Sequence, residues 1–245
     1  MVIILSKEYF CFMAIPYFYE KDISNTASHF ILSEETSRHC IQVLRMKIGE
    51  QLHLTDGKGN LFTASIREAD KRSCSVKIES FIFSKRQNRK TCIAISLVKN
   101  ASRFEWFLEK ATEIGVAEII PLLCSRTERQ HFRFDRMNHI LIAAMLQSQQ
   151  TWLPELQFPT AFQTIIETSP YENKFIAHCE EEEKKMISQF KIENNIQILI
   201  GPEGDFTVDE INSAIQKNYH PVSLGNTRLR TETAGITAAV LLANL

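Results

Sequence analysis

The sequence predicts a two-domain α/β protein, a small β-barrel followed by a mostly parallel sheet with helices on both faces. Three observations carry that expectation. From residue 13 to about 84, alternating runs are separated by Gly-rich turn chemistry, the pattern of hairpins. From residue 91 to 245, short apolar runs alternate with capped helical repeats, the rhythm of a parallel sheet. Between them, Ser84-Lys85-Arg86-Gln87-Asn88-Arg89-Lys90 has the polar, basic composition of a solvated linker or an RNA contact.

In the first domain, residues 33–46 read as a helix. Gln51–Thr55 alternates as a strand, Asp56-Gly57-Lys58-Gly59-Asn60 supplies the turn, and residues 61–66 resume the extended pattern. Residues 73–84 form another β-prone run, with Val76, Ile78, Phe81 and Phe83 as candidate core residues. In the second domain, residues 91–98 suit a strand buried on both faces. Ser102-Arg103-Phe104-Glu105 then has the spacing of a capping box. Phe104, Phe107, Leu108, Ala111 and Ile114 follow at helical spacing, and Gly115 sits where a C-cap belongs. Strands are expected at 117–122, 174–178, 196–200 and 221–224. Helices are expected at 135–149, from 160, at 208–217 after the box Thr207-Val208-Asp209-Glu210, and at 233–245. Residues 180–183 with Lys184 and Lys185 read as a solvated helix start.

Composition excludes several classes. The cysteines Cys11, Cys40, Cys74, Cys92, Cys124 and Cys179 lie far apart, with no C-x-x-C pair and no histidine at metal spacing. That scatter fits reduced thiols and argues against a disulfide framework or a zinc site. Residues 1–12 are apolar but broken by Lys7 and Glu8, with no small-residue cleavage site after them. They read as a frayed extension with Met13 as an alternative start, so a cytoplasmic protein without a membrane span is expected. Residues 13–90 hold 13 Lys and Arg against 9 Asp and Glu, whereas residues 91–245 hold 14 against 19. A basic amino-terminal part beside a more acidic domain is compatible with RNA contact.

Open parallel sheets bind ligands beyond the carboxyl ends of their strands, and two such exits stand out. In Leu199-Ile200-Gly201-Pro202-Glu203-Gly204-Asp205-Phe206 a buried strand runs straight into two glycines and a proline. This is either a tight strand-to-helix turn or a backbone cradle for a ligand. It is neither G-x-G-x-x-G nor a P-loop, so dinucleotide and triphosphate readings lose their usual support. In Leu224-Gly225-Asn226-Thr227-Arg228-Leu229-Arg230-Thr231-Glu232-Thr233-Ala234 a short strand leads through a polar loop to the last helix. Hydroxyls and free amides there can cap the helix or hold an anion. Arg228 and Arg230 can face phosphate, a base edge or solvent.

The order GPEGDF, SLG, LRTETA resembles the SPOUT methyltransferases, and within them the ribosomal RNA small subunit methyltransferase E family. The likeness runs from Met13 through nearly the whole chain. It includes residues 39–46 (HCIQVLRM), 56–59 (DGKG) and 109–116 (EKATEIGV). It implies a PUA-like RNA-binding barrel over 13–84 and a SPOUT domain with a deep trefoil knot over 91–245. It also implies a homodimer that uses S-adenosylmethionine to methylate N3 of one uridine in small-subunit ribosomal RNA, with no metal. Carried over residue by residue, the cofactor contacts are Leu199, Ile200, Gly201, Glu203, Gly204, Leu224, Gly225, Leu229, Thr231, Thr233 and Ala234. One departure stands in the loop: the family's usual proline and arginine after SLG are replaced by Asn226 and Thr227. A role for a loop arginine therefore rests on Arg230.

Uridine N3 bears a proton and is a poor nucleophile until it leaves. A site must accept that proton or stabilise charge on the flanking carbonyl oxygens. Arg230 is the candidate for the second task, and Glu232, Glu203 or water for the first. Arg45, Lys47, Arg103, Arg126, Arg129 and Arg133 are candidate phosphate contacts, with Lys99 near a strand exit. Two other readings stay open, a noncatalytic RNA-binding or ribosome-assembly protein on the same scaffold, and a methyltransferase acting on another RNA base.

Overall fold

The structure, a computed structural model, describes residues 15–86, 89–128, 130–180 and 184–245. Met13, Arg129 and residues 181–183 therefore lie outside the described residues, as do residues 87 and 88 of the expected linker. The chain divides into two compact units. One holds the residues up to Asp56 with Asn60–Phe83, and the other holds Gly57–Gly59 and Ser84–Leu245.

In the first unit, strands β1 (Tyr17–Tyr19), β2 (His29–Ile31), β3 (Gln51–Thr55), β4 (Asn60–Glu68) and β5 (Ser75–Phe83) form one sheet in the order β1-β3-β4-β5-β2. Only β1 and β3 pair in parallel. Leu52, Leu54, Phe62, Ala64, Ile66 and Val76 fill the core from alternate positions, as a sheet with one buried face requires. The two edge strands are joined by a side chain: Glu20, buried just after β1, accepts hydrogen bonds from Ser33 N at 3.0 Å and Ser33 Oγ at 2.9 Å just after β2. Ser33 also caps α1 (Glu34–Arg38), which passes into a π-helical turn at His39–Val43.

Two expectations fail in this unit. Phe81 and Phe83 are exposed, not core. A register shift sets Thr63 opposite Ser80 and Ala64 opposite Ile78, which keeps Phe81 opposite buried Phe62, with the rings 6.0 Å apart, but Phe81 and Phe83 lie at the end of β5, where the strand outruns the core. The unit is also not basic. Its described residues hold eight Lys and Arg against nine Asp and Glu, and the excess read over residues 13–90 belongs to Lys58, Lys85, Arg86, Arg89 and Lys90 of the second unit.

The second unit is built on β6 (Thr91–Ser96), β7 (Glu118–Leu123), β8 (Glu155–Leu156), β9 (Thr160–Ala161), β10 (Asn173–Ala177), β11 (Lys185–Met186), β12 (Ile196–Ile200) and β13 (His220–Ser223). Their order is β11-β13-β10-β12-β6-β7-β8, with β9 also on β7, and every ladder is parallel. Alternate residues of β6 serve two cores. Ile93 and Ile95 join one that includes α2 (Ala101–Ile114), α3 (Phe134–Gln147) and α6 (Thr231–Ala243). Cys92 and Ala94 join the other, with α4 (Phe162–Thr168) and α5 (Val208–Gln216). Helices thus cover both faces, and the apolar runs follow from burial on both sides.

Local chemistry sets the boundaries. Thr207 and Glu210 make the expected capping box of α5. Gly115 ends α2 at φ +92°, in the left-handed region where glycine costs least. The expected box at Ser102 does not form. Asn100 caps α2 by accepting from Ser102 N, and Glu105 pairs with Arg136 instead. α6 begins at Thr231, two residues before the expected 233. It lies close against β6 and α2 at Gly235, where a Cβ would sit 2.7 Å from Ile95 Cδ1 and from a Phe107 ring carbon. The linker is not merely solvated either. Arg86 donates to Ala117 O, and Arg89 donates to Ile192 O and Leu242 O.

Candidate functional site

Strand β10 lies between β12 and β13 in the sheet, so three parallel strands release their chains side by side at one edge. Two adjoining cavities occupy that edge. One, of about 320 Å³, is bounded by Ala177 and Cys179 after β10, Ile200–Glu203 and Asp205 after β12, and Arg228–Thr231 with Ala234 at the start of α6. The other, of about 370 Å³, is bounded by Ala177–Glu180, Lys184, Val222–Leu229 and Ala234. They share Ala177, Cys179, Arg228, Leu229 and Ala234. Each has the volume of a small-molecule site.

The loop after β12 is braced from both sides. Gly201 has no Cβ because one would lie 3.1 Å from two carbons of the Phe206 ring, which is fully buried in the second core. Asp205 adopts φ +62°, a left-handed value that Asp tolerates better than most residues. Its Oδ1 accepts from Phe206 N at 2.8 Å and its Oδ2 accepts from Cys179 N at 2.7 Å, tying the β12 exit to the β10 exit. On the other side, Arg126 Nη1 donates to Gly204 O at 2.6 Å and to Phe206 O at 3.3 Å. Glu210 accepts Ser125 N at 2.8 Å while its other oxygen caps α5. Four strand exits are therefore tied through side chains, since Glu203 Oε1 also accepts from Lys99 N, after β6, at 3.0 Å.

Of the expected cofactor contacts, Ile200, Gly201, Glu203, Leu224, Gly225, Leu229, Thr231 and Ala234 line one or both cavities. Leu199 does not; it is fully buried in the core beneath. Gly204 and Thr233 do not line them either, and Gly204 meets the Arg126 stem. Arg230 lines the first cavity. Glu232 is buried in the first turn of α6 and faces Arg103 Nε at 3.6 Å, outside both cavities.

The candidate phosphate contacts do not gather. Arg103 is held by Glu232, and Arg126 is spent on the loop carbonyls. Arg45, at φ +54°, and Lys47 are exposed on the first unit, and Arg133 precedes α3. Lys99 pairs with Glu128 at 2.8 Å.

Sequence reading missed Ala177, Cys179, Pro202, Asp205 and Lys184 as lining residues. The signal was the strand at 173–177, but its place between the other two strands depends on pairing. Cys179 is exposed, and partial desolvation, then the nearby Asp205 carboxylate, raise its thiol pKa, which disfavours the thiolate.

Chemically, the site offers apolar walls, strand-end backbone groups and the amino terminus of a 13-residue helix. Such a lining suits a ligand with a flat apolar part and a carboxylate. Among the described residues no cluster of three or more His, Cys, Asp or Glu is placed to hold a metal, and no helix is long and apolar enough to cross a membrane.

A family model described as an RNA methyltransferase domain matches residues 85–243, and one described as an RNA methyltransferase PUA domain matches residues 32–79. The ribosomal RNA small subunit methyltransferase E of Synechocystis sp. is 30% identical over 82% of this chain and 68% of its own. A probable rRNA-methyltransferase from Porphyromonas gingivalis is similar in structure, with TM-score 0.87 and 36% identity over 94% of this chain and 98% of its own. A ribosomal RNA small subunit methyltransferase E from Neisseria gonorrhoeae, solved bound to S-adenosyl methionine, has TM-score 0.85 and 26% identity over the same shares.

Proposed function

The chain belongs to the ribosomal RNA small subunit methyltransferase E family, and from that premise we propose that it methylates N3 of one uridine in small-subunit ribosomal RNA. It is a methyltransferase that uses S-adenosylmethionine. The observation that carries the reading is the convergence of the β10, β12 and β13 exits with the start of α6 around the paired cavities.

When bound, S-adenosylmethionine supplies a methyl group on a sulfonium, ready for in-line displacement. The residues present fit it. Ile200, Leu224, Leu229 and Ala234 form the apolar walls, and the first turn of α6 favours a carboxylate. Gly225, at φ +153° with nothing within 4 Å of a would-be Cβ, lets the backbone face the cavity directly. Arg230, on the rim, stabilises negative charge developing on the base carbonyls. Glu203 Oε1 is occupied by Lys99 N, so this reading gives proton acceptance to its other oxygen or to water. Glu232 becomes the residue that holds Arg103 near the strand exits.

The finer parts of the reading travel together. A PUA-like RNA-binding domain over 13–84 and a knotted domain over 91–245 belong to it. The knot draws support from β13 lying beyond β10, which makes the chain cross the β10 and β12 exits before entering α6. A homodimer draws support from exposed Trp106 on α2 and Val240 on α6, and sedimentation velocity tests it. A cytoplasmic location follows from the substrate.

Mapping methylated nucleotides in ribosomal RNA from cells with and without the gene should show one N3-methyluridine lost from the small subunit. Loss of a different modified base would redirect the specificity, and no loss together with no saturable S-adenosylmethionine binding by calorimetry would leave a noncatalytic scaffold. Asp205→Ala removes both loop ties and places alanine at positive φ. Calorimetry should show cofactor affinity about tenfold weaker, the consequence of losing on the order of 1.4 kcal/mol. Asp205→Asn, which keeps an acceptor and tolerates that φ, should retain most of the affinity. Equal binding by all three proteins would remove the ties from the site.

A further inference from the structure

The basic excess that sequence alone assigns to the amino-terminal part gathers at the far end of the second unit's sheet. Lys85, Arg86 and Arg89 line a cleft of about 170 Å³ beside Trp152, at the amino ends of β6 and β7. Lys58 is bridged to Trp152 through the backbone, and Lys90 directly precedes β6. The cofactor cavities lie at the carboxyl ends of the same parallel strands, roughly 15 Å away along β12.

The cleft is built, and its parts divide into frame and free charge. Arg86 donates to Ala117 O at 3.0 Å and lies over the Trp152 ring at 5.1 Å, while Trp152 Nε1 donates to Ser84 O at 2.8 Å. Arg89 donates to Ile192 O at 3.1 Å and to Leu242 O at 2.6 Å. The carboxylates that act on Arg86 are Glu118 and Glu155. Both are engaged: Gln157 Nε2 donates to each, and Tyr171 donates its hydroxyl to Glu118. Lys85 and Lys90 are exposed and make no side-chain ion pair among the described residues. The carboxyl-terminal ends of α2 and α6 meet here, and a helix end of that sense repels an anion held deep inside. The cationic rim therefore suits an extended polyanion passing over it better than a small ion inside it.

We infer that the exposed lysines Lys85 and Lys90, on either side of the arginine frame in the chain, bind the phosphodiester backbone of the RNA substrate away from the target nucleotide. The inference rests on RNA being the substrate. Because rim and cofactor cavity stand at opposite ends of one sheet, it also means that productive substrate is RNA that reaches both.

The test is the double variant Lys85→Gln/Lys90→Gln, which leaves the arginine frame intact, assayed with naked small-subunit ribosomal RNA across a salt series. Affinity should fall about tenfold, and the slope of log affinity against log salt should shrink by roughly 1.5 to 2 for two lost phosphate contacts. S-adenosylmethionine affinity and the melting temperature should be unchanged, and Lys85→Arg/Lys90→Arg should restore RNA binding. Wild-type affinity and slope in the glutamine variant would overturn the inference. So would saturable binding of inorganic phosphate that the variant loses while its RNA affinity stays intact, since that describes a free-anion site. RNA binding that depends on both lysines in a protein that transfers no methyl group would sink the catalytic reading and leave this one standing.

Discussion

Replacing Arg230 by alanine is expected to slow single-turnover methyl transfer to small ribosomal subunits by about a hundredfold or more, the scale of losing a donor aimed at developing charge. Cofactor affinity should barely change. The contrast follows from placement: Arg230 lines the cavity rim at the N-cap position of α6 without capping it through its side chain, so helix and pocket survive its removal. Arg230→Lys should recover part of the rate, because a point charge remains but the planar fork does not. Glu232→Gln provides the comparison. If Glu232 serves to hold Arg103, that variant should weaken RNA binding more than it slows bound-substrate turnover. A normal single-turnover rate in Arg230→Ala would remove that residue from catalysis.

The largest expected stability loss is at Gly235. In an exposed helix interior, alanine in place of glycine stabilises by about 1 kcal/mol. Here the added Cβ would meet Ile95 and Phe107 at 2.7 Å, and both side chains are fully buried. Overpacking of this kind costs about 1 to 3 kcal/mol, which outweighs the propensity gain. Gly235→Val should cost more, because its branched Cβ adds volume on the same side. Urea denaturation should show a lower midpoint for Gly235→Ala and a still lower one for the valine variant. Cofactor affinity should fall as well, since the adjacent Ala234 and Thr231, one turn back, line the cavity. An alanine variant as stable as the wild type would show that α6 can move away from β6 without penalty.

Much of this architecture was legible because burial writes itself into period and composition. The apolar runs at Thr91–Ser96 and Ile196–Ile200 could hardly be anything but two-sided strands, and both form there. Thr207 and Glu210 announced α5 through spacing that has one physical use. The same pattern at Ser102 and Glu105 misled, because Asn100 stood two residues earlier and reached Ser102 N first. Phe81 and Phe83 misled because alternation cannot show where a strand outruns its core. For the site, the β12 and β13 exits were readable from their glycines. The β10 exit was not, because lying between two strands is a fact about pairing. Nor could sequence show that Glu232 turns inward to Arg103, or that Arg126 is committed to Gly204. Charge was misassigned for a related reason. A boundary drawn at residue 84 or 90 along the chain places Lys58 with the barrel, whereas the fold places it with Trp152.

The pairing of β6 with β12 sets Thr91 beside Ile196, partners more than a hundred positions apart. During synthesis β6 emerges long before the strand that covers its inner edge. At ~5 to 20 residues per second the wait is about 5 to 20 s. Throughout it, a ribbon apolar from Cys92 to Ile95, with unpaired amides on that side, is open to any other nascent strand. The central sheet can close only when the last quarter of the chain arrives. Refolding from denaturant should accordingly be slow, as non-local pairing requires. Its yield should fall with protein concentration, and a chain halted before residue 196 should be an aggregation hazard and a chaperone client.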